Sequence, residues 1–189
     1  MKREISDRNI IDNFVIDFCE VVEKHCKYII VSGFVSISHG RSRGTEDVDM
    51  IIEKLPLERF RLLNRDLEKK GFECIQSPKA EEIYDYLIKK DSVRYVRKGE
   101  YLPEMELKFA KDEIDELQLS SRVKLPLTGL DVWFSSIEMN IAFKEELLKS
   151  DKDMEDARHL RKIYEDEISE ELINDVKKMI RRYRLNAKR

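Results

Sequence analysis

Apolar residues recur at intervals of three or four along several stretches of the chain, which is the spacing that places them on one side of an α-helix. The first stretch carries Ile11, Phe14 and Phe18 on that side, and the segment from Pro56 to Gly71 repeats the pattern. Proline favours the first turn of a helix, and glycine favours the position just after its end. The sequence therefore predicts amphipathic helices that each bury one side.

Short runs of apolar and β-branched residues lie between these helical stretches and predict strands. Residues 28–31 form a continuous apolar run that is typical of a buried strand. Residues 47–52 predict a second strand, and residues 93–97 and 104–109 predict a pair of strands joined through a glycine-containing turn. In the last of these segments apolar and charged residues alternate, so one face is apolar and the other is charged.

The order of the predicted elements indicates the fold class. Strands and helices alternate up to residue 134, and the remaining chain is helical, beginning with Ser135 and Glu138 at the spacing of a capping box. We predict an α/β (α+β) core over residues 1–134, with a small mixed β-sheet and flanking helices. A C-terminal helical part over residues 135–189 is expected to follow, either separate or packed with the core as one domain.

Composition and charge limit the classes of protein to which this chain can belong. Of 189 residues, 40% are charged and 41% are hydrophobic, which predicts a folded globular chain. A net charge of −3 gives no general attraction to nucleic acid, so an RNA or DNA contact would need a local patch. No apolar run approaches the roughly 20 residues of a membrane span, and the N-terminal residues lack the apolar stretch of a signal peptide. We therefore expect a cytoplasmic protein.

One basic patch lies at the C-terminus, where lysine and arginine residues surround Tyr183 within residues 177–189. On a helix several of these cations fall on one side, where they could follow an RNA backbone. The alternative, which we favour, is a solvated helix end whose cations suit the C-terminal dipole.

The clearest candidate chemistry is the pair Asp47 and Asp49 on the second predicted strand. Residues two apart on a strand point to the same face, so these two carboxylates project together. Neighbouring carboxylates repel, and one of them becomes protonated unless a cation lies between them. Mg²⁺ favours one or two carboxylates completed by phosphate oxygens, so the pair predicts a phosphate-handling site for Mg²⁺ or Mn²⁺. The alternative is a pair of exposed residues at a strand end.

The residues before this pair add candidates for binding phosphate. The first strand ends at Ser32 and Gly33, and glycine lets backbone N–H groups approach a phosphate closely. Arg43 lies in the following loop, where it can meet phosphate charge, and Thr45 stands between Arg43 and the acidic pair. We therefore predict that Ser32, Gly33, Arg43 and Thr45 contact a nucleotide.

This arrangement resembles the first motif of the DNA polymerase β-like nucleotidyltransferase superfamily, which is a strand, a glycine turn, a short helix and an acidic pair on the next strand. The R-x-T-x-D-x-D ending at residues 43–49 is most similar to AbiEii-type toxins and related uncharacterised nucleotidyltransferases. A later stretch, from Trp133 through Lys144 to residues 152–156, is similar to the helical part of that family. Together the two stretches cover about half of the chain.

The resemblance implies a nucleotidyltransferase fold and a Mg²⁺-dependent enzyme of the EC 2.7.7 type that binds a nucleoside triphosphate such as ATP. It would transfer a nucleoside monophosphate to an acceptor hydroxyl by two-metal catalysis, with Asp47, Asp49 and a third carboxylate as metal ligands. Within residues 104–109 we select Glu106 for the third carboxylate because it is more central than Glu104. Lys144 is expected to reach the triphosphate. The alternatives are that both glutamates are solvent-facing residues of an edge strand and that Lys144 is a solvated helix lysine.

The sequence departs from the family where Phe34 follows Gly33, since the family's turn usually reads Gly-Ser or Gly-Gly. The hydroxyl would then have to come from Ser32 or Ser36. If the toxin-like resemblance holds, the acceptor is a tRNA 3′ end and a partner protein completes a toxin–antitoxin pair. Two alternatives stay open: a catalytically decayed fold that acts as a regulatory or antitoxin-like binding protein, and an adenylyltransferase that modifies a protein or a small molecule.

Overall fold

The computed structural model of the protein describes residues 9–42, 44 and 47–186. Strands and helices alternate along most of this part. The strands are β1 (Tyr28–Val31), β2 (Asp47–Ile52), β3 (Phe72–Cys74), β4 (Val93–Arg97), β5 (Glu104–Phe109), β6 (Val123–Lys124) and β7 (Trp133–Phe134). The α-helices are α1 (Ile10–Val22), α2 (Gly33–Ser38), α3 (Leu57–Lys69), α4 (Ala80–Ile88), α5 (Glu113–Ser120), α6 (Ile137–Phe143), α7 (Asp151–Ile163) and α8 (Glu170–Ile180). Segments Lys144–Leu148 and Arg181–Leu185 extend α6 and α8 as π-helix.

The strands form one seven-stranded sheet in the order β3-β4-β5-β2-β1-β7-β6. The pairs β2–β5 and β1–β7 are parallel, and the other neighbours are antiparallel. The prediction of a small mixed sheet with flanking helices is confirmed. The alternative that 104–109 is an edge strand is wrong, because β5 lies between β4 and β2.

The two faces of the sheet differ in what covers them. Val48, Met50 and Ile52 belong to the main hydrophobic core, which also contains the apolar faces of α1, α3 and α4. On the opposite face Ile29 and Ile51 pack against Leu119 of α5 in a second, smaller cluster. Because residues alternate between faces along β2, Asp47 and Asp49 lie on this second face.

Helix α5 was not predicted from the sequence. It begins at Asp112, whose side chain accepts hydrogen bonds from the backbone N–H groups of Ile114 and Asp115. Its apolar residues form only a weak stripe, so packing on the sheet stabilises it more than its own pattern does.

The start of α6 also differs from the prediction by one residue. Ser136 is the cap, and its hydroxyl accepts a hydrogen bond from the N–H of Met139 at 3.3 Å. Ser135, which the capping-box spacing indicated, is buried and donates a hydrogen bond to Gln118 of α5 at 2.7 Å.

The C-terminal helices contribute to the main core rather than to a core of their own. Ile141, Leu160 and Ile173 belong to the same hydrophobic cluster as the sheet residues. Helix α7 also contacts the end of α2, where the Tyr164 hydroxyl and the His39 imidazole are joined by a hydrogen bond of 2.7 Å. No helix in the described ranges has both the length and the apolarity needed to cross a bilayer.

Candidate active site

The acidic residues predicted from the sequence meet on two parallel strands. In the β2–β5 register Asp47 lies opposite Glu104, and Asp49 lies opposite Glu106. Residues opposite each other on neighbouring strands point to the same face, so four carboxylates share one region of the second face. The structure thus places Asp47, Asp49, Glu104 and Glu106 on the same face of two neighbouring strands.

Asp49 is the most electrostatically perturbed of these carboxylates. Burial raises its pKa, and the negative charges of Glu106 and Asp47 raise it further. The positive charge of Lys108 and a hydrogen bond from Ser32 act in the opposite direction, but the pKa stays above its ordinary value. Ionised Asp49 therefore lacks sufficient positive charge around it, and a bound cation would stabilise the carboxylate form.

The two glutamates share an arginine that sequence analysis missed. Arg94 Nε lies 3.2 Å from Glu104 Oε2, and Arg94 Nη2 lies 3.3 Å from Glu106 Oε2. Arg94 is on β4, directly opposite Glu106 in the antiparallel register. Arg94 therefore contacts both glutamates of the carboxylate cluster.

The carboxylates on β2 and β5 can be compared with the ligands that a divalent cation needs. Within the described part of the chain, no three side chains of Asp, Glu, His or Cys stand close enough together to ligate one ion on their own. Mg²⁺ does not need three, because phosphate oxygens and water commonly complete its coordination. Asp47 and Asp49 supply the carboxylate pair, so the donor set fits a cation that binds together with a phosphate-bearing substrate.

Ser32 lies at the junction between β1 and α2, beside Asp49. Its backbone has φ 66° and ψ −136°, a conformation that favours glycine and costs about 1–3 kcal/mol for other residues. The hydrogen bond to Asp49 helps to hold it there. Helix α2 has only six residues, so a phosphate would be bound by individual N–H and hydroxyl groups more than by a helix dipole.

The residues near Ser32 differ in whether they can contact a phosphate. Phe34 packs in the main core and is 1% exposed. Ser36 is fully buried, and its Oγ has no hydrogen-bond partner in the described ranges, so Ser32 is the hydroxyl at the site. Arg43 and Thr45 lie outside the described residues.

A cavity of about 240 Å³ opens beside Asp49 between the second face of the sheet, α5 and α6. Its lining combines apolar, polar and charged groups. The charged and polar groups include Lys108, Lys111, Lys144, Arg184, Gln118 and Asn140. Of these, sequence analysis identified only Lys144. Lys108 could have been found, because the alternation along β5 puts it on the same face as Glu106.

Lys144 lines this cavity and is 1% exposed. Its ammonium lies 2.8 Å from Asp156 Oδ2 and 3.6 Å from Asp153 Oδ1, both on α7. Asp156 also pairs with Arg41, which donates a hydrogen bond to the Lys152 carbonyl at 3.1 Å. The buried Asp156 carboxylate therefore links Lys144 in the cavity to the loop that precedes Asp47. The alternative that Lys144 is a solvated lysine is wrong, because its side chain is buried.

Comparison with known proteins gives matches in structure alone. No protein-family model matches the chain, and no curated protein matches it. The solution structure of the antibiotic-resistance factor ANT(2'')-Ia is similar with a TM-score of 0.57 and 15% identity over 94% of this chain and 95% of that one. The crystal structure of ANT(2'')-Ia in complex with adenylyl-2''-tobramycin has a TM-score of 0.55 and 17% identity, over 92% and 98% of the two chains. An antigenic nucleotidyltransferase-like protein from Paracoccidioides brasiliensis follows, with a TM-score of 0.52 and 16% identity over 94% and 90%.

The chain has the nucleotidyltransferase fold. At 15–17% identity these structures show the shared fold alone, so the superfamily and the narrower AbiEii-type resemblance stay predictions from the sequence. In this nucleotidyltransferase fold the acidic pair, the Ser32–Gly33 junction and the cavity are contiguous.

Three cations of the basic C-terminal segment form ion pairs with acidic residues of the same chain. Lys177 pairs with Glu145 at 2.6 Å, and Arg181 pairs with Glu146 at 2.8 Å. Arg184 binds Asp115 at 2.8 Å. The side chain of Arg184 is only 12% exposed, so this cation is not part of the solvated helix end that the sequence analysis favours.

His39 provides a pH-dependent contact between α2 and α7. Its Nδ1 lies 2.6 Å from the Val35 carbonyl oxygen, so a neutral ring donates there and accepts at Nε2 from the Tyr164 hydroxyl. Burial lowers the pKa of His39 below the ordinary value of about 6.5. The unfolded chain therefore binds this proton first as the pH falls, and the contribution of neutral His39 to stability is lost as the pH falls through the folded-state pKa.

We expect the free energy of unfolding of the wild type to fall more steeply below about pH 6.5 than that of His39→Gln. Urea unfolding monitored by circular dichroism between pH 5 and pH 8 measures this slope. His25→Gln is the matched control, since His25 bonds to the exposed Asp66 instead. Parallel profiles for the wild type and His39→Gln would contradict the prediction.

Proposed function

We propose that this chain is a nucleotidyltransferase that uses Mg²⁺ or Mn²⁺ to transfer a nucleoside monophosphate from a nucleoside triphosphate to an acceptor hydroxyl. The observation that carries the proposal is the β2–β5 register, in which Asp47 and Asp49 stand beside Glu104 and Glu106, and Asp49 also lines the cavity. The shared fold with nucleotidyltransferases supports it.

In this proposal Asp47 and Asp49 hold the cation. When bound, the cation neutralises phosphate charge and favours attack at the α-phosphorus. Glu106, opposite Asp49, completes the metal site or accepts the proton of the acceptor hydroxyl. The acceptor oxygen forms a bond to the α-phosphorus, the bond from that phosphorus to the β-phosphate bridging oxygen breaks, and pyrophosphate leaves with the electron pair.

The nucleotide is proposed to contact Ser32, the N–H of Gly33, and Lys144. Support comes from the strained backbone of Ser32 beside Asp49 and from the position of buried Lys144 on the cavity lining. Arg43 and Thr45 complete the nucleotide contacts predicted from the sequence.

An active enzyme is favoured over a decayed binding protein. The sequence feature that favours a catalytically decayed fold is Phe34 after Gly33. The Phe34 side chain packs in the main core, away from the cavity. Both aspartates are present, and the raised pKa of Asp49 gives a physical reason for cation binding.

For the acceptor we propose a small hydroxyl-bearing molecule. Three of the C-terminal cations that could follow an RNA backbone, Lys177, Arg181 and Arg184, are paired with Glu145, Glu146 and Asp115. The similar ANT(2'')-Ia structure holds adenylyl-2''-tobramycin, a small-molecule product, and its match covers nearly all of both chains. A tRNA 3′ end and a toxin–antitoxin partner rest on the sequence resemblance, and a protein acceptor is the alternative within the same class of enzyme.

Label transfer tests this function. The full chain is incubated with each of the four α-³²P nucleoside triphosphates, Mg²⁺ or Mn²⁺, and separately a panel of amino sugars, total tRNA and cellular protein. The double variant Asp47→Asn/Asp49→Asn runs alongside Asp91→Asn, an exposed carboxylate outside the site. Label on the amino sugars that the double variant fails to transfer is the expected result. Label on tRNA or protein would replace the acceptor class, and no label on any acceptor would overturn the proposal.

A further inference from the structure

Arg94 contacts the two glutamates of the carboxylate cluster from a fixed position on β4. Its backbone N–H donates a hydrogen bond to Gln76 Oε1, and its carbonyl accepts one from the Ile75 N–H, each at 2.8 Å. On the other side of the strand Arg94 lies opposite Glu106 in the register with β5. The guanidinium donates from Nη2 to Glu106 Oε2 at 3.3 Å, and its Nε lies 3.2 Å from Glu104 Oε2. One positive group therefore bridges two carboxylates that repel each other.

The position of Arg94 divides the four carboxylates into two pairs. In the strand order β4-β5-β2, Glu104 and Glu106 stand between Arg94 and the aspartates. The glutamates have a counter-ion supplied by the chain itself. Asp47 and Asp49 are the pair that fits a divalent cation whose remaining ligands are phosphate oxygens and water.

A divalent cation and the guanidinium compete for Glu106. Mg²⁺ lies about 2.1 Å from its oxygen ligands, so a cation on the Glu106 carboxylate would lie roughly 3–5 Å from the guanidinium. Repulsion between these positive charges opposes binding of both at once. The Arg94 side chain is 46% exposed, so it can turn into solvent and regain its hydration at a low cost. Glu106 can thus ligate a cation once Arg94 has turned away.

We propose that the Arg94 guanidinium takes the place of a second divalent cation beside Glu106, so that the substrate-free protein binds one cation, at Asp47 and Asp49. This role rests on the proposed function, which supplies the cation at the aspartates. Arg94 is a positioning residue, because it acts through the glutamates. The two-metal catalysis that the sequence resemblance implies then requires Arg94 to release Glu106.

Manganese binding to the full chain tests this role, with Mn²⁺ alone as the probe. Electron paramagnetic resonance of free Mn²⁺ during a titration gives the number of ions bound per chain and their affinities. We expect the wild type to bind one ion and Arg94→Met to bind two. The second ion should bind roughly tenfold or more tightly in Arg94→Met than any second ion on the wild type, because the repelling charge is gone. Adding Glu106→Gln to Arg94→Met should remove that second ion.

Two further variants separate the role of Arg94 from a general loss of charge or of fold. Arg65→Met is the matched control, because it removes the same charge from a side chain that is 59% exposed on α3, and it should bind one ion. Arg94→Gln keeps a hydrogen-bond donor without the charge and should bind two. Circular dichroism checks that each variant is folded. Equal numbers of bound ions in the wild type, Arg94→Met and Arg94→Gln would overturn the proposal, and so would a second ion that persists without Glu106.

The ion count and the transfer reaction can fail independently. If Arg94→Met gains an ion that depends on Glu106 but no acceptor is labelled, the role of Arg94 stands and the proposed transfer fails. If label transfer depends on Asp47 and Asp49 while Arg94→Met gains no ion, the transfer stands and the role of Arg94 fails.

Discussion

Replacing Asp156 by alanine is expected to destabilise the folded protein by about 3–5 kcal/mol. Asp156 is fully buried and faces Lys144, which is also buried, and Arg41. Removing the carboxylate takes away the partner that lies 2.8 Å from the Lys144 ammonium in a low-dielectric environment, whereas Asp153 lies farther away, at 3.6 Å. Loss of such a buried partner is among the most destabilising single changes, because the remaining charge has been removed from water.

Urea unfolding at neutral pH measures this effect. Glu155→Ala is the matched control on the same helix, since Glu155 also contacts Arg41 but its side chain is 59% exposed. Exposed pairs contribute about 1 kcal/mol or less, so the control should unfold close to the wild type. A compensating double variant, Lys144→Met/Asp156→Leu, should recover part of the lost stability, since it removes the buried ammonium that has lost its partner, while Arg41 keeps its contact with Glu155. Equal effects of Asp156→Ala and Glu155→Ala would show that the buried pair is not important for stability.

The acidic part of the site could be predicted because it depends on local periodicity. Asp47 and Asp49 are two positions apart, and this spacing alone sets their common face on any strand. The alternation along β5 likewise placed Glu106 on a charged face. The opposition of Asp49 and Glu106 could not be predicted, because it depends on a parallel register between strands that are distant in sequence.

The cavity could not be predicted for a related reason. One side of it is α5, a helix whose own sequence carries a weak apolar pattern and which forms where it packs on Ile29 and Ile51. Another side includes Arg184, which in the sequence looks like one cation of a basic tail. Its role in the fold becomes visible only through its pairing with Asp112 and Asp115.

The contacts of Arg94 also could not be predicted from the sequence. The segment 93–97 was correctly predicted as a strand, yet its sequence gives no sign that Arg94 lies between Glu104 and Glu106. Cross-strand neighbours are set by tertiary pairing, so a motif search along the chain finds the carboxylates without the arginine that holds two of them.

The largest expected effect on activity is that of Asp49→Asn. We expect it to lower label transfer by roughly a thousandfold or more, because several kcal/mol of charge stabilisation is lost when a metal ligand is removed. The amide keeps the shape and burial of the carboxylate. It removes only the charge that would bind the cation.

The same substitution should not destabilise the fold, which distinguishes it from a damaging core change. Burial and the charges of Glu106 and Asp47 raise the pKa of Asp49, so its ionised form is disfavoured in the folded protein without a cation. At neutral pH a neutral asparagine removes that unfavourable charge, and the metal-free variant should unfold at equal or higher urea concentration than the wild type. Asp91→Asn, at an exposed position, should change neither activity nor stability.

Activity of Asp49→Asn within about tenfold of the wild type would show that Asp49 does not bind the cation. Lost activity with a lowered unfolding midpoint would indicate a structural role instead.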